Sequence, residues 1–231
     1  MERSERGERI LEVAAELLLA WGYGRVTIDE IARRAKVGKG TVYLHWKTKD
    51  ALLLTVVLKA KARSQQRQLA RMRADPLEVL PSRMMGAYYA DFLAEPVLRA
   101  LYTDDVDVLG RLNDSAKKEF AELVALGDRV LRRHLEVLRE HGLMYVDTDV
   151  RHQQYALMAT ATGFFTAEAL LFDRAPDTPE IRGGIFAESI RRMLETTPSY
   201  DAAAAAAPEI IALYEEFEAH SAQEMRRQLR D

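Results

Sequence analysis

Lys39, Gly40, Thr41, Tyr43 and His45 fall within one short stretch and offer an ammonium, an open piece of backbone, a hydroxyl, a phenol and an imidazole, with no carboxylate among them. Such a set donates hydrogen bonds and can approach a polyanion closely. Val42 and Trp46, four apart, take the other side of the same turn, so the spacing predicts a helix from Lys39 to about Trp46 with one anchoring face and one donor face. Upstream, Thr27 and Glu30 are spaced as a capping box, each side chain satisfying a backbone N–H left free at a helix start. A helix is therefore expected from about Ile28, with Ile31, Ala32 and Ala35 inward and Asp29, Arg33 and Arg34 in solvent. Lys36-Val37-Gly38 separates the two helices, and Gly38 is expected to take backbone angles that a side chain resists. Two short helices joined in this way form a helix-turn-helix, whose second helix lays its N-terminal residues against base edges in the major groove. An ordinary hairpin with a solvated basic face is the competing reading; the joint occurrence of cap, turn and acid-free face weighs against it.

Elements on either side must hold this pair. Ile10, Val13, Ala14, Leu17, Leu18 and Trp21 mark a first helix closed by Gly22-Tyr23-Gly24, and Thr48-Lys49-Asp50 opens a fourth that reaches about Met72. Helical periodicity continues, so the fold class is all-α: an N-terminal three-helix DNA-binding domain over residues 1–50, a connecting helix over 51–75, and a helical domain over 76–231. Within the last, helices are expected to end near Glu95-Pro96, to span about Val97 to Leu109, Ser115 to His141 (closed by Gly142), Val150 to Phe172 and Ile185 to Leu194, with Pro176 and Pro179 bracketing a turn. Pro208 suits the first turn of a last helix starting at Glu209, whose apolar face (Ile210, Leu213, Tyr214, Phe217) would dock on its own body or on another subunit.

The 231 residues contain no cysteine, which excludes disulfides, thiol catalysis and cysteine-liganded metals. No apolar run is long enough to span a membrane and the N-terminus lacks a signal-peptide core, so a soluble cytoplasmic protein is expected. The net charge of -3 hides a segregation: Met1 to Arg73 holds 16 Lys+Arg against 8 Asp+Glu (+8), leaving 17 against 28 (-11) for the rest. A basic quarter on an acidic body fits steering toward nucleic acid. Enzymatic patterns are missing: Lys39-Gly40-Thr41 lacks the rest of a phosphate-binding loop, and neither a nucleophile elbow nor a zinc-binding helix pair occurs. His134, His141 and His152 lack acidic partners at ligand spacing and read as surface imidazoles. No catalytic residue, metal site or cofactor is expected.

AAELLLAWGYGRVTIDEIARRAKVGKGTVYLHWKTKDALL resembles the DNA-binding domain of the tetracycline-repressor (TetR) family over about the first 55 residues. The resemblance implies operator contacts at Thr27, Lys39, Gly40, Thr41, Tyr43, His45 and Lys49, with Thr27 and Lys49 on phosphates and Lys39 and Thr41 nearest the bases. Gly38, Leu44 and Trp46 depart from the usual serine, aromatic and phenylalanine, which leaves the operator sequence open. It further implies a homodimer on double-stranded palindromic DNA, assembled through Val150 to Phe172 and Ile185 to Leu194, and an effector pocket among the later helices. There the chain offers Met84, Met85, Tyr88, Tyr89, Phe92, Tyr102, Tyr155, Met158, Phe164 and Phe165, suited to a small apolar, flat or acyl effector. The same stripe also reads as plain core, and Glu95, Asp104 and Asp105 as surface acids rather than a cation site. The function implied is a one-component regulator, a repressor before an activator. A DNA-scaffolded interaction protein of the same fold, regulating a partner protein, is the alternative.

Overall fold

Gly22 decides how the first helix ends. In the computed structural model, which describes residues 3–229 apart from 104, 172–173 and 175–177 and the side chains of 3, 4, 113 and 168–170, helix α1 runs Arg3–Arg25 but kinks at Gly22 (φ 71, ψ 159). A Cβ there would stand 2.2 Å from the Asp107 carbonyl oxygen. Both the positive φ and the close approach require glycine.

Helix α2 (Ile28–Arg34) begins at Thr27, whose hydroxyl accepts the Glu30 amide at 3.2 Å. The other half of the expected capping box is replaced: the Glu30 carboxylate takes Arg33 and Arg34 one turn on. Gly38 is extended (φ -70, ψ 148), and it is Lys36 that adopts the left-handed conformation (φ 54), correcting the role assigned to the glycine. Helix α3 spans Lys39–His45, and α4 spans Lys49–Ala74 with the Thr48 hydroxyl accepting the Ala51 amide.

A 3-10 turn at Pro76–Val79 leads to α5 (Pro81–Ala94). The single helix expected over Val97 to Leu109 is two, α6 (Pro96–Tyr102) and α7 (Val106–Leu109), because Asp105 caps a new start with its carboxylate on the Asp107 and Val108 amides. The segment Ser115 to His141 likewise divides at Phe120 into α8 (Leu112–Glu119) and α9 (Ala121–Glu140), and Gly142 at φ 71 closes it. Helix α10 is Val150–Leu171; its expected last residue, Phe172, lies outside the described residues, as do Asp104 and Pro176. Helix α11 starts earlier than expected, at Pro179 behind the Thr178 cap, and runs through Gly183-Gly184 to Leu194. Pro208 is not a first-turn residue: α12 is one helix, Tyr200–Gln228, with the proline inside it. Among the described residues the architecture is all-α, its one extended pairing an isolated bridge between Met144 and Glu195. Among the described residues no helix is long and apolar enough to cross a membrane.

Two compact units emerge, and they do not follow the division 1–50, 51–75 and 76–231. The first gathers Met1–Ala62, Pro96–Leu123 and His220–Asp231; the second gathers Arg63–Glu95 and Val124–Ala219. In the first, Leu17, Leu18, Ile31, Val42, Trp46, Leu52 and Leu53 are packed with Val97, Leu98, Leu109 and Leu112 into one core. In the second, α5 and α11 approach closely, a Cβ on Gly86 falling 3.3 Å from that of Ala187. The rings of Tyr89, Phe92, Phe165 and Phe186 stack beside that contact, with centroids 4.7 to 6.1 Å apart. His134 is fully buried, its Nε2 2.7 Å from the Val79 carbonyl and its Nδ1 3.1 Å from the Tyr214 hydroxyl, which overturns the surface assignment. Tyr214, together with the Glu209–Arg133 ion pair at 2.8 Å and Phe217 against Gly127, shows α12 docking on its own chain.

Candidate nucleic-acid interface

Seven residues are too few for a helix to hold itself in water, so α3 depends on what pins it. Val42 and Trp46 are buried almost completely, and the indole N–H donates to the Thr55 hydroxyl at 3.0 Å. Burying one indole contributes several kcal/mol, at about 25 cal/mol per Å² over roughly 200 Å². The helix is thereby fixed from one side, and Lys39, Gly40, Thr41 and Tyr43 stand together on the other. Space beyond Gly40 is open to at least 4 Å.

The ammonium of Lys39 holds Asp29 of α2 at 2.8 Å, and that hydrogen bond raises its pKa. Both partners are exposed, so solvent screens the pair and leaves the ammonium able to exchange Asp29 for another anion. Thr27 is exposed and its hydroxyl proton remains for an external acceptor, the oxygen being the one that caps α2. Arg33 and Arg34 line the outer face of α2 and hold the Glu30 carboxyl down at about 2. Arg34 also lies 4.6 Å over the Trp21 ring.

Two of the expected contacts are not brought to this face. His45 is 9% exposed, tilted against Trp46 at 5.2 Å and packed beside Gly7; on a helix this short, position 45 turns inward with Val42. Lys49 also points inward. Its ammonium donates to the carbonyls of Tyr23 and Val26 at 2.9 and 3.1 Å and sits 3.9 Å from the Tyr23 ring centroid, and burial lowers its pKa. It closes the carbonyl end of α1 rather than offering a free charge. In exchange, the face includes Leu44, 63% exposed, which the donor pattern alone passed over. The signal available in the sequence was its place between Tyr43 and His45, off the Val42–Trp46 side of the helix.

Of the pocket candidates, Met84, Met85, Tyr89, Phe92 and Phe165 are buried together in the second unit, with Tyr88 and Phe164 half-buried at ring contacts to Phe165 and Phe186. Tyr102 belongs to the first unit, and Tyr155 and Met158 are exposed on the outer face of α10, so these three do not join them. A groove of about 490 Å³ opens between α5 and α11, lined by Gly86, Tyr89, Leu93, Pro179, Glu180 and Gly183 among others. Only Tyr89 of that lining was expected. Phe186 was missed as well, because the sequence stripe was read on the segments that became α5, α6 and α10 and not on α11. Among the described residues no three of His, Asp and Glu come together as metal ligands.

Comparison with known proteins bears on the α1–α4 region. The family described as "Bacterial regulatory proteins, tetR family" matches residues 10–56, which hold the core of α1, both short helices and the start of α4. Residues 10–56 are a tetR-family region. The uncharacterized HTH-type transcriptional regulator YerO of Bacillus subtilis is 35% identical over 147 residues, 61% of this chain and 49% of YerO. YdeS of the same organism, named in the same terms, is 49% identical over 45 residues, 20% of this chain and 23% of its own. The chain thus spans half or less of the length of these relatives. Solved tetR-like folds extend the likeness to both units. NalD, the secondary repressor of the MexAB-OprM efflux pump in Pseudomonas aeruginosa, covers 84% of this chain and all of its own at TM-score 0.63 and 19% identity. FadR of Bacillus subtilis, solved with stearoyl-CoA, covers 79% and 96% at TM-score 0.62 and 16% identity. At these identities the likeness is one of fold.

Proposed function

We propose that the chain is a one-component transcription regulator of the cytoplasm that binds palindromic operator DNA as a homodimer, represses from it, and is released by a small apolar effector. The observation that carries this reading is the outward face of α3. An ammonium, a bare backbone, a hydroxyl and a phenol are presented on a helix that has no carboxylate of its own and is pinned from behind by Val42 and Trp46, with Asp29 of α2 held by the ammonium. Base edges specify and phosphates position; Lys39 and Thr41 suit the first task, Thr27 and Arg33 the second.

Dimerisation is supported by an unpartnered face on α10 and α11, where Tyr155, Met158, Ile181, Ile185 and Met193 are exposed. Gly163 and Gly184 leave open space on the same helices, so a second backbone can come close. The groove between α5 and α11 suits a flat or acyl effector, being walled by Tyr89, Leu93 and glycine backbone with Glu180 at its edge. Coupling would run along α4, uninterrupted from Lys49 to Ala74. Selecting duplexes from a random pool with the full-length protein tests the reading. A two-fold symmetric motif with half-sites one helical turn or a multiple apart is expected; no enrichment refutes operator binding, and an asymmetric single site refutes the dimer.

A further inference from the structure

In the first unit Tyr23, Lys49, Asp50 and Arg111 meet in one polar cluster. The Tyr23 hydroxyl donates to Asp50 Oδ1 at 2.6 Å and accepts from Arg111 Nε at 2.7 Å. The Arg111 guanidinium lies 5.4 Å from the Tyr23 ring centroid and 3.8 Å from Asp50 Oδ2. Lys49, stacked on the same ring, bridges the carbonyls of Tyr23 and Val26. Val26 immediately precedes Thr27, the cap of α2. A residue 88 positions further along the chain is therefore joined through one tyrosine to the turn that aims the helix pair. The seat is tight: α7 packs on the kink of α1 so closely that Gly22 admits no methyl group against the Asp107 carbonyl.

We propose that Arg111 is a positioning residue for DNA binding, holding the Tyr23 ring and hydroxyl so that Lys49 can clamp the Tyr23 and Val26 carbonyls and fix the entry of the chain into α2. The inference rests on the operator-binding reading for its functional consequence, but its structural half needs no DNA. The Arg111 side chain is 74% exposed, so direct contact with a phosphate is the rival role. The two differ in salt dependence, because only a phosphate contact releases a counterion.

The test uses full-length protein carrying Arg111→Ala, Arg111→Lys, Tyr23→Phe, and Arg111→Ala with Tyr23→Phe. Amide hydrogen exchange is measured without DNA, and affinity for the selected duplex is measured across a range of salt. Arg111→Ala and Tyr23→Phe are each expected to speed exchange over residues 23–31 while the core of α4 stays protected. Each removes the Arg111–Tyr23 hydrogen bond, Tyr23→Phe that to Asp50 as well, and each should weaken specific binding about tenfold or more. The double variant should be no worse than the worse single one, the salt slope should be unchanged, and Arg111→Lys should recover part of the loss. Unchanged exchange over 23–31 in Arg111→Ala, or exchange raised evenly through the unit, overturns the proposal. So does a salt slope lower by about one phosphate, or multiplicative effects in the double variant. Failure of the operator reading would show separately, in a wild-type protein with no preference among duplexes, and the exchange comparison would still decide the positioning claim.

Discussion

The outward side of α3 and the ring cluster on α5, α10 and α11 are built on opposite terms. On α3 the informative groups are small, polar and exposed, and burial is confined to Val42 and Trp46 behind them. Beside α5 the informative groups are large and buried, Tyr89, Phe92, Phe165 and Phe186 filling one layer next to an open groove. The first region has its stability and its chemistry on different residues, so its surface can be altered without unfolding it. The second has both on the same residues, and a change there is felt as stability before it is felt as recognition.

Truncation in the ring layer should produce the largest effect. Phe186→Ala removes a fully buried ring from contact with Tyr89, Phe164 and Phe165 and is expected to cost about 3–5 kcal/mol in urea unfolding. A loss below 1 kcal/mol would mean that the layer is loosely packed and the contrast false. Acid comes next. Burial pushes His134 down to about 4 in the folded chain, against an ordinary value near 6.5. The folded state therefore binds the proton more weakly than the unfolded chain. His134 contributes its full share above pH 6.5, and that share, roughly 3 kcal/mol, is lost as pH falls from there through 4. Unfolding free energies across that range should slope accordingly, and His134→Gln should flatten the slope.

Two lysines sharpen the comparison within the DNA-facing region. Lys49→Ala is expected to cost about 1–3 kcal/mol of stability, since two carbonyls lose a charged donor, and to leave the salt slope of DNA binding intact. Lys39→Ala should do the reverse, leaving the urea midpoint unchanged and reducing the slope by about one contact. The smallest effect concerns Leu44. Its exposed methyls suit the C5-methyl of thymine, so replacing one operator thymine by uracil should weaken wild type by about 0.8 kcal/mol and leave Leu44→Ala indifferent. Equal losses in both proteins would remove Leu44 from the interface.

What could be read in the sequence follows the same contrast. Local rules placed the Thr27 cap, the α2–α3 pair and the start of α4 because each depends on residues three or four apart. The inward placement of His45 and Lys49 was not legible because their partners, Gly7 for one and the carbonyls of Tyr23 and Val26 for the other, lie 38 and more than 20 positions away. The split at Asp105 is itself local, its carboxylate capping the Asp107 and Val108 amides, and it was masked by apolar periodicity that continues on both sides. His134 looked like a surface group because its acceptor, Val79, and its neighbour, Tyr214, come from elements far apart in the chain.

Specificity on the exposed side of α3 is the central claim, and a ratio tests it most directly. Affinity is measured at moderate ionic strength for a selected duplex and for a shuffled duplex of the same composition, with wild type, Tyr43→Ala and Lys39→Ala. The wild type should favour the selected duplex by at least about a thousandfold, the lower range for specific DNA binding, and each variant should lose about tenfold or more of that ratio while remaining folded. A wild-type ratio near one, or variants that keep the full ratio, would contradict the account.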